Sequence, residues 1–175
     1  MGIYSKSVLL LWLGIALAGQ VKASEHATPY EVVKKVEAAV TLLAQNPQTT
    51  LPEFSDPSGR WVWKDTYLFV LDCSRITVAA HPVSPKLIGN NHAALQDVRG
   101  KLFFKEFCQA PEKGAWIDYY WPKPGEEQAS RKISYIKAVS GSVLRVGGGL
   151  YEENLKVEEL MRYTQEMLQA ETEQN

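Results

Sequence analysis

Residues 67–82 read Tyr-Leu-Phe-Val-Leu, Asp-Cys-Ser-Arg, Ile-Thr-Val-Ala-Ala-His and Pro. Two short apolar runs are thus parted by four turn-forming residues and closed by a proline. A link that short joins antiparallel neighbours, because a parallel crossover needs a dozen residues or more. The pair is expected to be a hairpin. Its first strand, Tyr67–Leu71, is apolar almost throughout, as a central strand is.

Three more runs follow the same logic. Ala115–Trp121, Lys132–Val139 and Val143–Gly149 are parted by Pro-Lys-Pro-Gly-Glu-Glu-Gln-Ala-Ser and Ser-Gly-Ser. They predict a meander and bring the sheet to five strands. Helical periods flank these runs. Thr28-Pro29-Tyr30-Glu31 is a capping-box start with proline at the first helical position. Val32, Val33, Val36, Ala39, Val40 and Leu43 recur at helical spacing up to Gln45, before Asn46-Pro47. Pro52–Gly59 reads as a loop. Val83–Asp97 reads as loop with a short helical turn. Lys101–Gln109 gives a second helix, ending before Pro111. Tyr151–Ala170 carries Leu155, Leu160, Met161, Thr164 and Leu168 as the apolar stripe of a last helix. The expected fold is α+β, with one five-stranded antiparallel sheet, a long N-terminal helix, a helical excursion and a C-terminal helix.

The N-terminus belongs to a different class of sequence. Lys6 precedes an unbroken apolar run, Val8–Ala18, which is shorter than the roughly 20 residues a membrane span takes. With Val21-Lys22-Ala23 behind it, the run matches a signal peptide cleaved after Ala23. An uncleaved anchor is the alternative, and either places the domain outside the cytoplasm. The expected division is residues 1–23 as signal peptide, 24–151 as the domain, and 152–175 as C-terminal helix and tail. The chain has 19 basic and 20 acidic residues; losing Lys6 and Lys22 leaves 17 against 20, a formal charge of −3. No clustered basic face points to nucleic acid. In an oxidising compartment Cys73 and Cys108 are either a disulfide or two buried thiols.

No catalytic or metal constellation stands out. Gly-x-Ser-x-Gly and His-Glu-x-x-His are absent, and His26, His81 and His92 lack cysteine or carboxylate partners at metal-ligand spacing. Gly147-Gly148-Gly149 opens no phosphate-binding helix and reads as close backbone packing. No cofactor is expected. The aromatic strand is more suggestive of binding. Alternation puts Trp116, Asp118 and Tyr120 on one face and Ile117, Tyr119 and Trp121 on the other. Aromatic walls with a few polar tips are the usual make-up of small-molecule sites, although core packing explains any one of these rings. Trp116, Tyr119 and Trp121 are therefore ligand candidates. His81 at its strand end, Lys101 at the start of the second helix, and Phe104 near the pocket floor join them. On the next strand Lys132, Ser134 and Ile136 share one face, and Arg131, Ile133, Tyr135 and Lys137 the other. A cation beside a tyrosine suits a carboxylate ligand. A solvated surface charge is the commoner state of a lysine or arginine.

The run Tyr67–Pro82 resembles the first hairpin of the single Cache domain family, second type. The likeness continues in order through Lys86–Asn90, Asp97–Lys101, Phe103-Phe104, Gly114–Tyr119, Trp121–Pro124, Lys132, Ser134–Lys137 and Gly147–Tyr151. The first turn departs from the pattern: Cys73-Ser74-Arg75 stands where the family more often has an acidic residue and glycine. The resemblance implies a PAS-like sheet on a long N-terminal helix. It also implies an extracytoplasmic sensory module, periplasmic or secreted, that holds a small ligand, commonly a short organic acid. Matching the family's Ser-Tyr-x-Lys singles out Tyr135 and Lys137 as further ligand candidates. The expected partners are a small carboxylate and a membrane receptor or a second copy of the chain, for a stand-alone exported protein that is not an enzyme. Three alternatives stand beside this reading. One is a non-catalytic interaction module with no ligand. Another is a lipocalin-like carrier of an apolar ligand, suggested by Gly59-Arg60-Trp61. The third is an unrecognised hydrolase, which would need a cleft with a perturbed histidine or carboxylate.

Overall fold

Helix α1, Pro29–Gln45, begins at the expected capping box. The Thr28 side chain accepts from the Glu31 backbone N–H, and the Glu31 carboxylate accepts from the Thr28 N–H in return. Its apolar stripe, including Val32, Val33, Val36 and Leu43, is fully buried across strands β5 (Ala129–Ala138) and β6 (Leu144–Leu150). Burying a valine or leucine side chain contributes about 1.5–3 kcal/mol, so this stripe anchors one layer of the domain. The structure is a computed structural model, and it describes residues 26–173. The expected signal peptide, residues 1–23, and the cleavage site lie outside the described residues.

The sheet is antiparallel throughout. Strands β1 (Val62–Trp63), β2 (Thr66–Asp72), β6, β5 and β4 (Ala115–Pro122) run in that order, and β3 (Thr77–Ala80) pairs with the far half of β2. The hairpin and the meander expected from sequence are both present. The meander folds so that β6 returns beside β2 and leaves β4 at the edge. Two-residue β1 makes a sixth strand, too short to show an alternating pattern in sequence. A short helix α2, Pro47–Thr50, follows α1 directly, and the 3-10 turn after it, Leu51–Ser55, runs into the start of the expected loop Pro52–Gly59. Helix α3 spans Phe103–Gln109. Helix α4 spans Val157–Glu173, starting later than its stripe suggests because residues 151–156 form an irregular link.

Two cores result, one on each face of the sheet. Helices α1 and α4 cover the first, with Leu68, Val70, Trp116, Ile133, Tyr135 and Val146 beneath them. The excursion between β3 and β4, including α3, covers the second, over Tyr67, Phe69, Val78, Tyr119 and Ile136. A disulfide between Cys73 and Cys108 ties the end of β2 to α3 (Cα–Cα 5.3 Å). The free edge of β4 is blunted. The Trp116 N–H is turned to Met161 Sδ at 3.3 Å, and the Tyr120 N–H donates to Asp97 at 3.0 Å. The Asp118 carbonyl accepts from Lys101 Nζ at 2.7 Å. Pro122 brings no N–H.

Candidate functional site

The face of the sheet under α3 carries the chemistry. Side chains alternate along each strand, so Tyr67 and Phe69 from β2, Tyr119 and Trp121 from β4, and Lys132 and Ser134 from β5 converge there. Between β2 and β5 runs the glycine stretch of β6. A Cβ on Gly147 would collide with the Phe69 ring and Ile136, and one on Gly149 with Ser134. Bare backbone in the central strand therefore lets the flanking side chains lean together, the close packing expected of this stretch. Above them Phe103 stacks on Tyr119 (centroids 4.7 Å apart, planes 14° apart) and meets Trp121 edge-on at 5.7 Å. The Tyr119 hydroxyl is 3.1 Å from Ser134 Oγ.

These rings enclose a cavity of about 20 Å³, lined by Tyr67, Phe69, Val78, His81, Leu87, Phe103, Phe104, Phe107, Tyr119 and Trp121. That volume holds about one water. Four of the residues singled out from sequence are brought together here: His81, Phe104, Tyr119 and Trp121. His81 is buried between Tyr67 (4.8 Å) and Phe69 (6.0 Å). Its Nδ1 accepts from the backbone N–H groups of Val83 and Ser84 at 3.1 and 2.9 Å, so the ring proton resides on Nε2. Burial, reinforced by the positive charge of Lys132, pushes its pKa down to about 3.

Lys132 is the unexpected member. It is fully buried, and its Nζ has no hydrogen-bond partner among the described residues. Aromatic faces surround it instead: Tyr67 at 4.0 Å, Tyr151 at 4.8 Å and Phe69 at 5.9 Å from the ring centroids. The Tyr151 hydroxyl donates to the Pro122 carbonyl at 2.8 Å, which fixes that ring in place. Burial drives the Lys132 pKa down, while the nearby Tyr67 hydroxyl acts in the opposite sense. Burial also raises the Tyr119 phenol well above its ordinary value. A cation over ring faces keeps part of what it loses on leaving water, but an ammonium without an acceptor remains costly. Such a group is satisfied by an anion with oxygen acceptors.

The remaining four sequence candidates stand elsewhere, each for a visible reason. Trp116 and Tyr135 have the opposite parity on β4 and β5 and point into the helix-covered core. There the Trp116 Nε1–H donates to Thr164 Oγ1 at 2.9 Å and the Tyr135 hydroxyl donates to the Lys113 carbonyl at 2.9 Å. Lys137 is on that face too, paired with Glu37 of α1 at 2.7 Å. Lys101 pairs with Glu106 and Asp118 at the β4 edge, at 3.1 and 3.2 Å, outside the cavity. Lys132 passed for a surface cation because most lysines are. The signal that marks it is the company on its face: Ser134 and Ile136 follow at period two, both buried. Among the described residues no group of three or more His, Cys, Asp or Glu is placed to hold a metal ion. No helix of the described residues is long and apolar enough to cross a membrane.

Comparison with known proteins agrees with this architecture. The profile of the family described as Single Cache domain 2 matches residues 26–161. The methyl-accepting chemotaxis protein McpP of Pseudomonas putida is 30% identical over 96 residues, 54% of this chain. That stretch spans 18% of McpP, so the likeness concerns one part of a much longer receptor. A solved Cache chemosensory domain, studied for carboxylic acid recognition, superposes with a TM-score of 0.60 at 22% identity, covering 71% of this chain and 92% of that one. The periplasmic sensor domain of a chemotaxis protein gives 0.59 at 26% identity, covering 71% and 93%. A methyl-accepting chemotaxis protein from Vibrio parahaemolyticus gives 0.58 at 23% identity, covering 70% and 86%.

Proposed function

The chain belongs to the single Cache domain 2 family, and from that premise we propose that it is an extracytoplasmic sensor of a short organic carboxylate, held by Lys132. One observation carries the reading: a fully buried ammonium with no hydrogen-bond acceptor among the described residues, beside a cavity walled by aromatic rings. A carboxylate would supply the missing acceptor, and a charge-assisted hydrogen bond of that kind contributes about 1.5–3 kcal/mol. The hydroxyls of Tyr67 and Ser134 and the Nε2–H of His81 are further donors on the same face. Binding requires the rings to part, because about 20 Å³ is less than any organic acid occupies. The protein acts by binding rather than by transforming its ligand. The apolar run at residues 8–18 supports export, with the domain starting after Ala23. Occupancy would be passed on by contact with a partner protein, and helix α4 is the element available for it.

The small cavity favours a second reading, an interaction module whose aromatic residues are core alone. Isothermal titration of the wild-type domain with formate, acetate, propionate, pyruvate and succinate separates the two. Saturable heat with one of these acids, lost in Lys132→Met, supports the sensor. No heat and no thermal shift with any of them sinks the carboxylate reading and leaves the interaction module.

A further inference from the structure

A second depression adjoins the cavity. It is an open groove of about 570 Å³ between the loop Val83–Leu87 and the turn that follows β4. Tyr67, Leu87 and Trp121 line both the groove and the cavity, so the wall between them is a single side chain thick. Lys86 and Lys123 at the groove are offset by Glu126 and Glu127, so the groove itself has little bias toward an anion. Lys132, fully buried and without a hydrogen-bond acceptor among the described residues, lines neither the groove nor the cavity.

The three shared side chains are not equally free to move. Tyr67 lies in the central sheet, paired to Val62, with Lys132 Nζ over its ring and His81 against it. Leu87 is half-buried, and its backbone is pinned. Its N–H donates to the Ser84 carbonyl at 3.0 Å, and its own carbonyl accepts from His92 Nε2 at 2.8 Å. Trp121 is half-buried at the penultimate position of the edge strand, and its indole N–H makes no hydrogen bond among the described residues. The register sets Tyr119 opposite Lys132 and Trp121 opposite Ser130. Trp121 is thus the diagonal neighbour of Lys132 on the same face, a spacing of about 7–8 Å between backbones that a long side chain spans.

We infer that the groove is the ligand's way in and that the Trp121 indole is the door to Lys132. The inference rests on the carboxylate reading for what passes through, but the door itself is a property of the empty protein. Swinging the indole outward gives up its edge contact with Phe103 and breaks no hydrogen bond. Moving Tyr67 would disturb the sheet and the Lys132 contact together. Trp121 therefore governs how often Lys132 meets solvent.

Reductive methylation of the folded, ligand-free domain with formaldehyde and dimethylamine–borane tests this, with the Lys132 peptide followed by mass spectrometry. Exchange of a buried group tracks the population of the open form, and removal of the door should speed Lys132 methylation at least about tenfold in Trp121→Ala. Trp121→Phe, a smaller change that guards against misfolding, should fall between it and wild type. Val78→Ala, which thins the cavity wall away from the groove, should leave the rate near wild type, and so should Lys113 as an internal surface standard in every variant. A Lys132 rate unchanged in both Trp121 variants overturns the inference, as does an equal acceleration in Val78→Ala. Because no acid is present, this result stands apart from titration. Failure of the carboxylate reading appears as absent heat, and failure of the door as unchanged labelling.

Discussion

Lys132 Nζ lies 4.0 Å from the centroid of the Tyr67 ring, wholly buried and without a hydrogen-bond acceptor among the described residues. The two residues come from β5 and β2, with β6 between them, and the bare backbone of Gly149 on β6 leaves room there for the neighbouring Ser134. Replacing Lys132 with methionine keeps the stem and removes the ammonium. Exchanging a buried charge for an apolar side chain is often neutral or stabilising. Lys132→Met is therefore expected to keep its melting temperature or gain up to about 2 kcal/mol, while losing acid binding. Thermal denaturation beside titration checks both. A loss of several kcal/mol would assign Lys132 a structural role instead.

The Cys73–Cys108 disulfide closes a loop with a sequence separation of 35 and fixes the roof helix to the end of β2. Constraining the unfolded chain over such a loop contributes roughly 3–4 kcal/mol. Urea denaturation of Cys73→Ala/Cys108→Ala should show that loss. Addition of reductant should bring wild type to the same midpoint and leave the variant unmoved.

Trp116 and Trp121 stand five residues apart on one strand and on opposite faces, so their substitutions should separate. Thr164→Val deprives the buried Trp116 indole N–H of its acceptor Thr164 Oγ1, at an expected cost of about 1–3 kcal/mol. Acid affinity should stay within twofold of wild type, since the proposed site lies across the sheet. A large change in affinity without loss of stability would place the site on the helix side.

His81 sets an acid limb on stability. Its pKa falls from 6.5 to about 3 in the folded protein, so the imidazole stays neutral there. Between those values the unfolded chain binds a proton that the native state refuses, and stability falls as pH drops from about 6.5 toward 3. Carboxylates held below their usual range, such as Asp97 and Asp118, add losses of their own only under about pH 4. Urea midpoints at pH 7.5, 6.0 and 5.0 should decline in wild type with a slope approaching about 1.4 kcal/mol per pH unit. His81→Asn, which keeps an acceptor for the Val83 and Ser84 amides, should flatten that slope. An equal decline in the variant would remove His81 as its source.

The parts of this structure that were legible in sequence are those governed by local chemistry. The α1 boundaries follow from Thr28, Glu31 and Pro47, and the hairpin and meander follow from turn residues and alternation. The ordered motifs carried the family. Alternation also split the four rings of β4 correctly between two faces. It could not tell which face α3 would cover, because that depends on how the long excursion between β3 and β4, residues 81–114, returns over the sheet. Tyr135 and Lys137 therefore lie on the face covered by α1 and α4, and Lys132 on the face under α3. Ile76 shows another limit. Its sequence reads as the first residue of β3, yet it closes the turn at φ 52°, a conformation β-branched residues seldom adopt. Its carbonyl accepts from the His92 N–H at 2.9 Å, a contact with no trace in the local pattern.

The β4 edge has a consequence for how this domain lives among others. An exposed strand is a template on which a foreign chain, or a copy of itself, can add another strand. Here a sulfur, a carboxylate, an ammonium and a proline already meet the backbone along that border. At this edge a neighbour finds few vacant amides to extend, so contact there runs through side chains, where it can be specific and can be undone.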